Sequence, residues 1–226
     1  MKTQILFEDQ DIIVCRKPAG LATQSATVSC PDVESELRNY LKGGELHTVH
    51  RLDQPVEGIL VFAKDKQAAA KLGAQVQDGR MKKIYHALAC GHVKPDEGVL
   101  VNDLIKMKNG LGHVVTETEK KQPQFRDAKR AQLSYRMLHY DDDTDVSMLE
   151  ICLKTGRFHQ IRLQMNHAGF PLAGDLKYGG SPAKEAAARL GLSYIALSAC
   201  KLVFEHPVTG KRMCYEITPA FEQEKI

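Results

Sequence analysis

The sequence lacks the features that mark a membrane-spanning or exported protein. Its 226 residues contain no apolar run approaching the roughly 18 residues that cross a bilayer. The opening segment, MKTQILFEDQDIIVCRKPAG, has short apolar pieces interrupted by Glu8, Asp9 and Asp11, unlike a secretory signal. We therefore expect a cytoplasmic protein with no membrane association.

The six cysteines form no C-x-x-C pair, so they give no sign of a zinc or redox motif. Cys152 and Cys200 lie in apolar, strand-like runs, where a cysteine is usually a small buried apolar side chain. In a chain without an export signal, we expect all six to be reduced thiols with structural roles.

Charge is moderate overall but locally concentrated. The formal net charge is +3, yet residues 106–130 carry seven Lys or Arg against three acids, and DGRMKKIYH adds three more cations. Basic clusters of this kind suit a polyanion such as RNA. A solvated, lysine-rich loop accounts for the charge equally well.

Apolar periodicity and turn residues divide the chain into many short strands and a few helices. A hairpin is predicted over residues 4–16, and 101–127 is predicted to be a long loop or hairpin. Helices are predicted over 31–44, 65–79, 157–169 and 181–191, and strands over 81–93, 129–140, 146–156, 194–207 and 211–219. The helices interrupt the strands without a regular alternation, which predicts an α+β fold with a mixed, mostly antiparallel central sheet flanked by helices and loops. We expect one domain over residues 1–226.

The segment HTVHRLDQPVEGILVFAKD, residues 47–65, places charged side chains just before a predicted buried strand. Strand alternation would put Arg51 and Asp53 on one face and Leu52 toward the core. Such a pair is most simply a structural ion pair, although catalytic groups also concentrate at turns anchored by a strand. A metal site at His47, His50 and Asp53 is not expected, since the two histidines would point to opposite faces.

The segment DDDTD, residues 141–145, resembles the start of a calcium-binding loop. It lacks the glycine and the closing glutamate of that motif. We interpret it as a solvated acidic turn.

The segment TGRFHQIRLQMNHAG has a cation where a helix usually prefers an acid. As a helix from Arg157, it places Phe158, Ile161, Met165 and Ala168 on one apolar face that packs in the core. The positive helix N-terminus normally attracts carboxylates, yet Arg157 lies there. Either a structural salt bridge or a phosphate or catalytic carboxylate opposite Arg157 would explain it.

Three segments, in chain order, carry a resemblance to a known family. HRLDQPVEGILVFAKD, KKIYHALACG and TGRFHQIRLQMNHAGFPLAGDLKYGG resemble the signature segments of the RluA-type RNA pseudouridine synthases. ILFEDQDIIVCRKPAGLATQ and AKRAQLSYRML resemble that family's opening hairpin and the strand before its third segment, so the resemblance covers nearly the whole chain. It implies the pseudouridine synthase fold and the isomerisation of uridines in rRNA or tRNA. That reaction needs no cofactor and no metal, which agrees with the absence of a phosphate-cradling Gly-rich loop.

The resemblance also implies roles for individual residues. Asp53 matches the catalytic aspartate, Tyr85 matches the tyrosine that lies against the target base, and Arg157 matches the basic residue that pairs with the aspartate. Arg51 matches the arginine that helps to turn the target base out of the RNA. The further candidates for RNA binding are His50, Arg162 and Lys17.

The sequence departs from the family pattern directly after Asp53. Where the family usually has Thr-Ser-Gly, this chain has Val56-Glu57-Gly58 after Pro55, so two hydroxyls are replaced and a carboxylate is added. The opening hairpin begins at once, so we expect no separate N-terminal RNA-binding domain, and we expect a monomer.

Two other functions stay open at this point. One is a non-catalytic RNA-binding or RNA-folding factor that retains the synthase fold. The other is a hydrolase of a glycosidic bond, which would need a second acid near Asp53, and Glu57 is the local candidate.

Overall fold

The computed structural model describes residues 1–25 and 30–223. The chain divides into two compact units. The first combines Met1–Ile84 with the chain from Ser198 onward, and the second is Tyr85–Leu197. No helix in the described ranges is long and apolar enough to span a membrane. The expectation that residues 1–226 act as one catalytic domain stays a prediction.

The described residues contain eleven strands and five α-helices. The strands are β1 Gln4–Glu8, β2 Ile12–Lys17, β3 His47–Thr48, β4 Glu57–Ala63, β5 Lys82–Cys90, β6 Glu97–Lys106, β7 Gly112–Val115, β8 Lys129–Asp141, β9 Val146–Leu153, β10 Leu197–Glu205 and β11 Arg212–Glu216. The helices are α1 Val33–Tyr40, α2 Lys66–Gln77, α3 Gln160–His167, α4 Gly180–Leu190 and α5 Ala220–Gln223.

In the first unit the strand order is β1-β2-β4-β10, with β11 paired to β10 and β3 paired to β4. The β4–β10 pair is parallel, and the other pairs are antiparallel. Every residue of β4 is buried, and its Ile59 and Val61 pack with α2 and β10 in an apolar cluster. Asp32 and Asp65 accept hydrogen bonds from the first-turn N–H groups of α1 and α2, which explains where both helices begin.

In the second unit the strand order is β5-β9-β8-β6-β7. The pairs β6–β7, β6–β8 and β8–β9 are antiparallel. The region predicted as a long loop or hairpin is a hairpin of β6 and β7, followed by two short 3-10 turns at Glu119–Lys121 and Pro123–Phe125. The acidic turn joins β8 and β9, and the Asp141 carboxylate accepts two backbone N–H groups within it. Mostly antiparallel strands with interspersed helices confirm the predicted α+β class.

Two local predictions were wrong. The helix predicted from Arg157 begins at Gln160, because His159 has a left-handed backbone with φ +50° that interrupts the helical path. Phe158 is therefore 37% exposed and does not belong to the core. Cys152 is exposed, because it alternates along β9 with the buried Ile151, whereas Cys200 is buried as predicted. All six cysteines lie within the described residues, and none of them forms a disulfide bond.

Candidate active site

Asp53 lies in the first unit, in the loop that joins β3 to β4. Residues 49–56 form no strand, yet Arg51 is exposed, Leu52 is buried and Asp53 is half-buried, so the predicted alternation holds for burial. The Val56 N–H donates to the Asp53 carbonyl at 3.0 Å and closes a turn through Pro55. The Asp53 side chain thus stands at a tight turn directly before a fully buried strand.

The backbone on both sides of Asp53 is fixed by hydrogen bonds to residues 20–23. The buried Thr23 hydroxyl donates to the Leu52 carbonyl at 3.0 Å and accepts the Leu52 N–H at 3.1 Å. On the other side, the Gly20 N–H donates to the Gln54 carbonyl at 2.9 Å, and the Gln54 amide returns a bond to the Gly20 carbonyl at 3.1 Å. These bonds fix the backbone that carries the Asp53 side chain, and catalysis requires such positioning of its reacting groups.

Lys17 is fully buried beneath the same turn. Its ammonium donates to the carbonyls of Pro18 at 3.0 Å, Leu21 at 2.6 Å and Gln54 at 3.0 Å. Burial lowers the pKa of Lys17 to about 8, and the negative charge of Asp53 acts against that shift. The expectation that Lys17 contacts RNA is therefore revised, because all three of its donors are used inside the protein.

His50 is also buried, and it attaches the loop to β4. Its Nε2 accepts the Val61 N–H at 3.3 Å. Burial, with a smaller contribution from the charge of Lys83, holds the pKa of His50 well below its usual value, so the ring is neutral. Within the described residues its Nδ1 has no hydrogen-bond partner. Burial argues against the predicted RNA contact for His50, whereas Arg51 is exposed and accessible to RNA.

Glu57, the carboxylate that departs from the family pattern, is committed to structural contacts. It is buried, and it accepts hydrogen bonds from the Arg16 guanidinium, including one from Nε at 2.8 Å. Its Oε2 accepts the Ala220 N–H at 2.9 Å. A carboxylate with these partners is poorly suited to donate a proton to a leaving group, which argues against the glycosidic hydrolase.

Gly58 follows Glu57 and allows β4 to approach β10 closely. A Cβ at this position would lie 2.5 Å from the Ala199 Cβ, and φ is +149°. Only glycine fits there, which explains why this part of the family pattern is retained next to the changed residues.

Arg157 lies in the second unit, exposed in the loop that precedes α3. Its N–H donates to Gln160 Oε1 at 3.0 Å, and the Thr155 hydroxyl donates to the same oxygen at 2.8 Å. The Arg157 Nε donates to the Arg130 carbonyl at 3.1 Å. Gln160 is 3% exposed and thus holds the loop that carries Arg157. Sequence reasoning missed it, because a glutamine on a predicted helix surface gives no signal of its own.

Arg162 forms a buried ion pair in α3. Its Nε donates to Asp175 Oδ2 at 2.9 Å and its terminal nitrogen to Asp175 Oδ1 at 2.7 Å, with both side chains at most 5% exposed. The predicted contact between Arg162 and RNA is revised accordingly. Asp175 was not predicted, although it is the only acid between Glu150 and Glu185. A single acid in a stretch rich in cations was a usable signal.

Tyr85 begins the second unit on β5 and is 6% exposed. The predicted site residues therefore divide between the units. Lys17, His50, Arg51 and Asp53 belong to the first, and Tyr85, Arg157 and Arg162 belong to the second. Within the first unit, the structure brings Lys17 close to Asp53.

Among the described residues, the cluster with metal-ligand chemistry is Asp9, Asp11 and His206. The His206 Nδ1 accepts the N–H groups of Val208 and Thr209 at 3.3 and 3.2 Å. Its proton is then on Nε2, which donates to Asp9 Oδ2 at 2.9 Å. A ring with both nitrogens used has no free lone pair for a metal, so this cluster is a structural contact.

Comparison with known proteins identifies the family to which this chain belongs. Residues 11–167 match the family model described as RNA pseudouridylate synthase. The ribosomal large subunit pseudouridine synthase C of Pasteurella multocida is 34% identical over 228 residues, which cover 100% of this chain and 67% of that protein. Ribosomal large subunit pseudouridine synthase D of Neisseria meningitidis is 34% identical, covering 96% of this chain and 58% of that protein. The tRNA pseudouridine synthase C of Pectobacterium carotovorum is 28% identical, with 92% and 57% covered.

Solved structures agree on the fold. Human RNA pseudouridylate synthase domain containing 1 superposes with a TM-score of 0.77 at 22% identity, covering 96% of this chain and 83% of that one. Human RNA pseudouridylate synthase domain containing 4 gives a TM-score of 0.74 at 22% identity, with 96% and 88% covered. The fold and the sequence matches together show that this chain belongs to the RluA-type RNA pseudouridine synthases.

Proposed function

We propose that this chain isomerises specific uridines in ribosomal or transfer RNA, with Asp53 as the essential carboxylate. Family membership supports the reaction class, and the names of the relatives above support these two kinds of RNA. The observation that carries the assignment of Asp53 is its position: a half-buried carboxylate at a turn whose backbone is hydrogen-bonded on both sides.

The reaction breaks the bond between the ribose C1′ and N1 of uracil and forms a bond from C1′ to C5. N1 gains a proton and C5 loses one, so substrate and product have the same composition. Asp53 acts at the sugar, either by attacking C1′ or by taking the neighbouring ribose proton. Both roles require an ionised carboxylate.

The target uridine must leave its stack before this chemistry, at a cost of a few kcal/mol. The exposed Arg51 suits the role of entering the RNA and filling the vacated space. The ring of Tyr85 would lie against the extruded base, and aromatic contact offsets part of the unstacking cost. The pairing of Arg157 with the aspartate, which the resemblance implies, stays a prediction.

We also propose that residues 1–226 act as one catalytic domain, since the alignment with the Pasteurella multocida relative covers both units. Light scattering would test the expected monomer, and cell fractionation would test the expected cytoplasmic location. Undiminished turnover in the presence of a chelator would support the expectation that no metal takes part.

The experiment uses RNA from a strain lacking this gene, labelled with tritium at C5 of uracil. The label must leave as C5 becomes the glycosidic carbon, so wild-type protein should release it. Asp53→Asn should lower release by at least about a hundredfold, as the loss of a general acid-base or nucleophilic group does. Asp142→Asn, in the exposed β8–β9 turn, is the matched control and should keep full activity.

Fractionating the RNA would then name the substrate. Normal turnover by Asp53→Asn would refute the assignment of Asp53. RNA binding without release by the wild type from any fraction would favour the non-catalytic RNA-binding factor.

A further inference from the structure

Phe158 presents an aromatic ring at the surface. It lies between Arg157 and His159 in the loop before α3, and 37% of it is exposed. The helical pattern predicted that Phe158 packs in the core, but the left-handed backbone of His159 directs Phe158 to the surface instead. None of the chemistry of Asp53 requires an aromatic side chain here.

The side chains of His159 and Tyr178 support one face of the Phe158 ring. It stacks on the His159 imidazole with 3.7 Å between centroids and 21° between planes. The His159 Nδ1 is 2.6 Å from the Tyr178 hydroxyl, which also accepts the Gly112 N–H at 2.9 Å. The buried Arg162 guanidinium lies over the Tyr178 ring at 5.0 Å. A ring supported in this way loses little conformational entropy on binding.

Exposed cations lie near this ring and near the Tyr178 ring that supports it. The Lys106 ammonium lies 4.9 Å from the centroid of the Phe158 ring, and the exposed Arg157 is the preceding residue. The exposed Lys177 lies 5.9 Å from the centroid of the Tyr178 ring that supports the stack. Within residues 1–25 and 30–223, none of these three cations forms an ion pair. The local acid, Asp175, is buried against Arg162.

A rigid exposed aromatic ring among unpaired cations is the arrangement by which proteins bind single-stranded nucleic acid, with bases on the ring and phosphates on the cations. We propose that Phe158 stacks an unpaired base of the substrate RNA while Lys106 and Lys177 bind the adjacent phosphates. This inference rests on the proposed function, since it assigns a second contact for the same RNA. The base replaces the Lys106 ammonium over the ring, and the flexible lysine moves to a phosphate.

Charge complementarity favours RNA over a protein partner at this surface. The exposed cations near Phe158 and Tyr178 repel most basic surfaces, and a single aromatic ring is far smaller than the apolar patches that bind proteins. Since every base has a π-face, stacking here is tolerant of sequence. The contact would therefore add affinity for unpaired RNA rather than choose the uridine.

Fluorescence anisotropy with a labelled oligouridylate of about ten nucleotides tests this directly, because it measures binding without turnover. A matched probe carries the same sugars and phosphates without bases. Phe158→Ala should bind the oligouridylate about tenfold more weakly than wild type, whereas Phe158→Trp should bind as well as wild type. Tyr194→Ala, which removes another exposed aromatic ring, is the control and should change nothing.

On the probe without bases, wild type and Phe158→Ala should bind equally. Equal binding of the two proteins to the oligouridylate would overturn the proposal. An equal loss on both probes would do the same, because the effect would then come from the phosphate contacts. Tritium release is measured separately, so a failure of the proposed synthase activity would be seen independently of this result.

Discussion

Lys83 shows how one residue can reduce the stability of this protein. It is half-buried in the first unit, and burial lowers the pKa of its ammonium to about 8. Its charge also contributes to the low pKa of the neighbouring, neutral His50. In the described residues no ion pair or hydrogen bond compensates the Lys83 charge. An ammonium that is partly withdrawn from water without a partner opposes folding at neutral pH.

We expect Lys83→Met to raise the free energy of unfolding at pH 7 by about 1 kcal/mol. The folded pKa, about 8, is below the unfolded value of 10.5, so the unfolded chain holds more protons between these pH values. The cost of the charge is complete below pH 8 and disappears as the pH rises to 10.5. The advantage of the variant over wild type should therefore shrink over that range.

Urea unfolding at several pH values measures this difference. Lys82→Met, at the exposed neighbouring position, is the control and should show neither the gain nor its pH dependence. A loss of stability in Lys83→Met at pH 7 would mean that the ammonium makes a favourable contact in solution.

The sequence identified Asp53 and Arg157 as candidates because their residue types are unusual for their positions. It did not reveal that Lys17, His50 and Arg162 are buried. The residue type alone does not tell whether a lysine or arginine in a motif faces RNA or is buried against carbonyl oxygens. The tertiary contacts, such as the three carbonyls that bind the Lys17 ammonium, determine whether the side chain is buried or exposed.

At the scale of elements, hydrogen bonds join the loop 155–159 to the start of α3. The side chain of Gln160 receives two bonds from the loop and donates to Gln164 Oε1 at 2.9 Å. Gln164 in turn donates to Asn102 on β6 at 2.8 Å. This chain of amides fixes the position of Arg157 relative to the sheet of the second unit.

We expect Gln160→Leu to lower kcat by about tenfold or more, because a small displacement of a positioning loop is costly to catalysis. Gln160→Glu keeps both acceptor contacts and should recover most of the activity. Tritium release at saturating RNA measures kcat, and thermal unfolding checks that both variants are folded. Asn166→Ala, exposed on the same helix, is the control. Wild-type kcat in Gln160→Leu would show that Gln160 does not act through Arg157.

Most elements were predictable from local sequence, since turn residues and caps such as Asp32 and Asp65 determine their ends. The start of α3 was not. One residue in the left-handed region, His159, shifts the helix by three positions and changes Phe158 from a core residue to a surface residue. Histidine is enriched among residues with a left-handed backbone, but such residues are a few per cent of all non-glycine residues, so a histidine alone did not signal this conformation.

At the scale of the whole molecule, the first unit combines segments from early and late in the chain. Glu57 links them, because its carboxylate binds both Arg16 and Ala220. Its carboxylate accepts from Arg16 on β2 and from the N–H of Ala220, and Arg16 also donates to the Thr218 carbonyl at 3.3 Å. The family resemblance predicted the overall fold, but not this contact. It depends on a residue that departs from the family pattern and on a partner 163 positions away.

We expect Glu57→Gln to lower the free energy of unfolding by about 2–3 kcal/mol, because it leaves the half-buried Arg16 guanidinium without its counter-charge. In a double-mutant cycle, Glu57→Gln should lower the free energy of unfolding much less in an Arg16→Met background than in wild type, since the two residues are coupled. Glu216→Gln breaks the more exposed pair with Lys201 and should cost less than about 1 kcal/mol. Chemical denaturation measures all of these changes.

The same variant separates a structural role of Glu57 from a catalytic one. Because its carboxylate is occupied by Arg16 and Ala220, folded Glu57→Gln protein should release tritium from RNA at the wild-type rate, measured well below its melting temperature. Loss of turnover in a fully folded Glu57→Gln protein would instead give Glu57 a part in the chemistry. A pair of acids, Asp53 and Glu57, would then return as the simplest account of the site, and hydrolysis of a glycosidic bond would have to be tested directly.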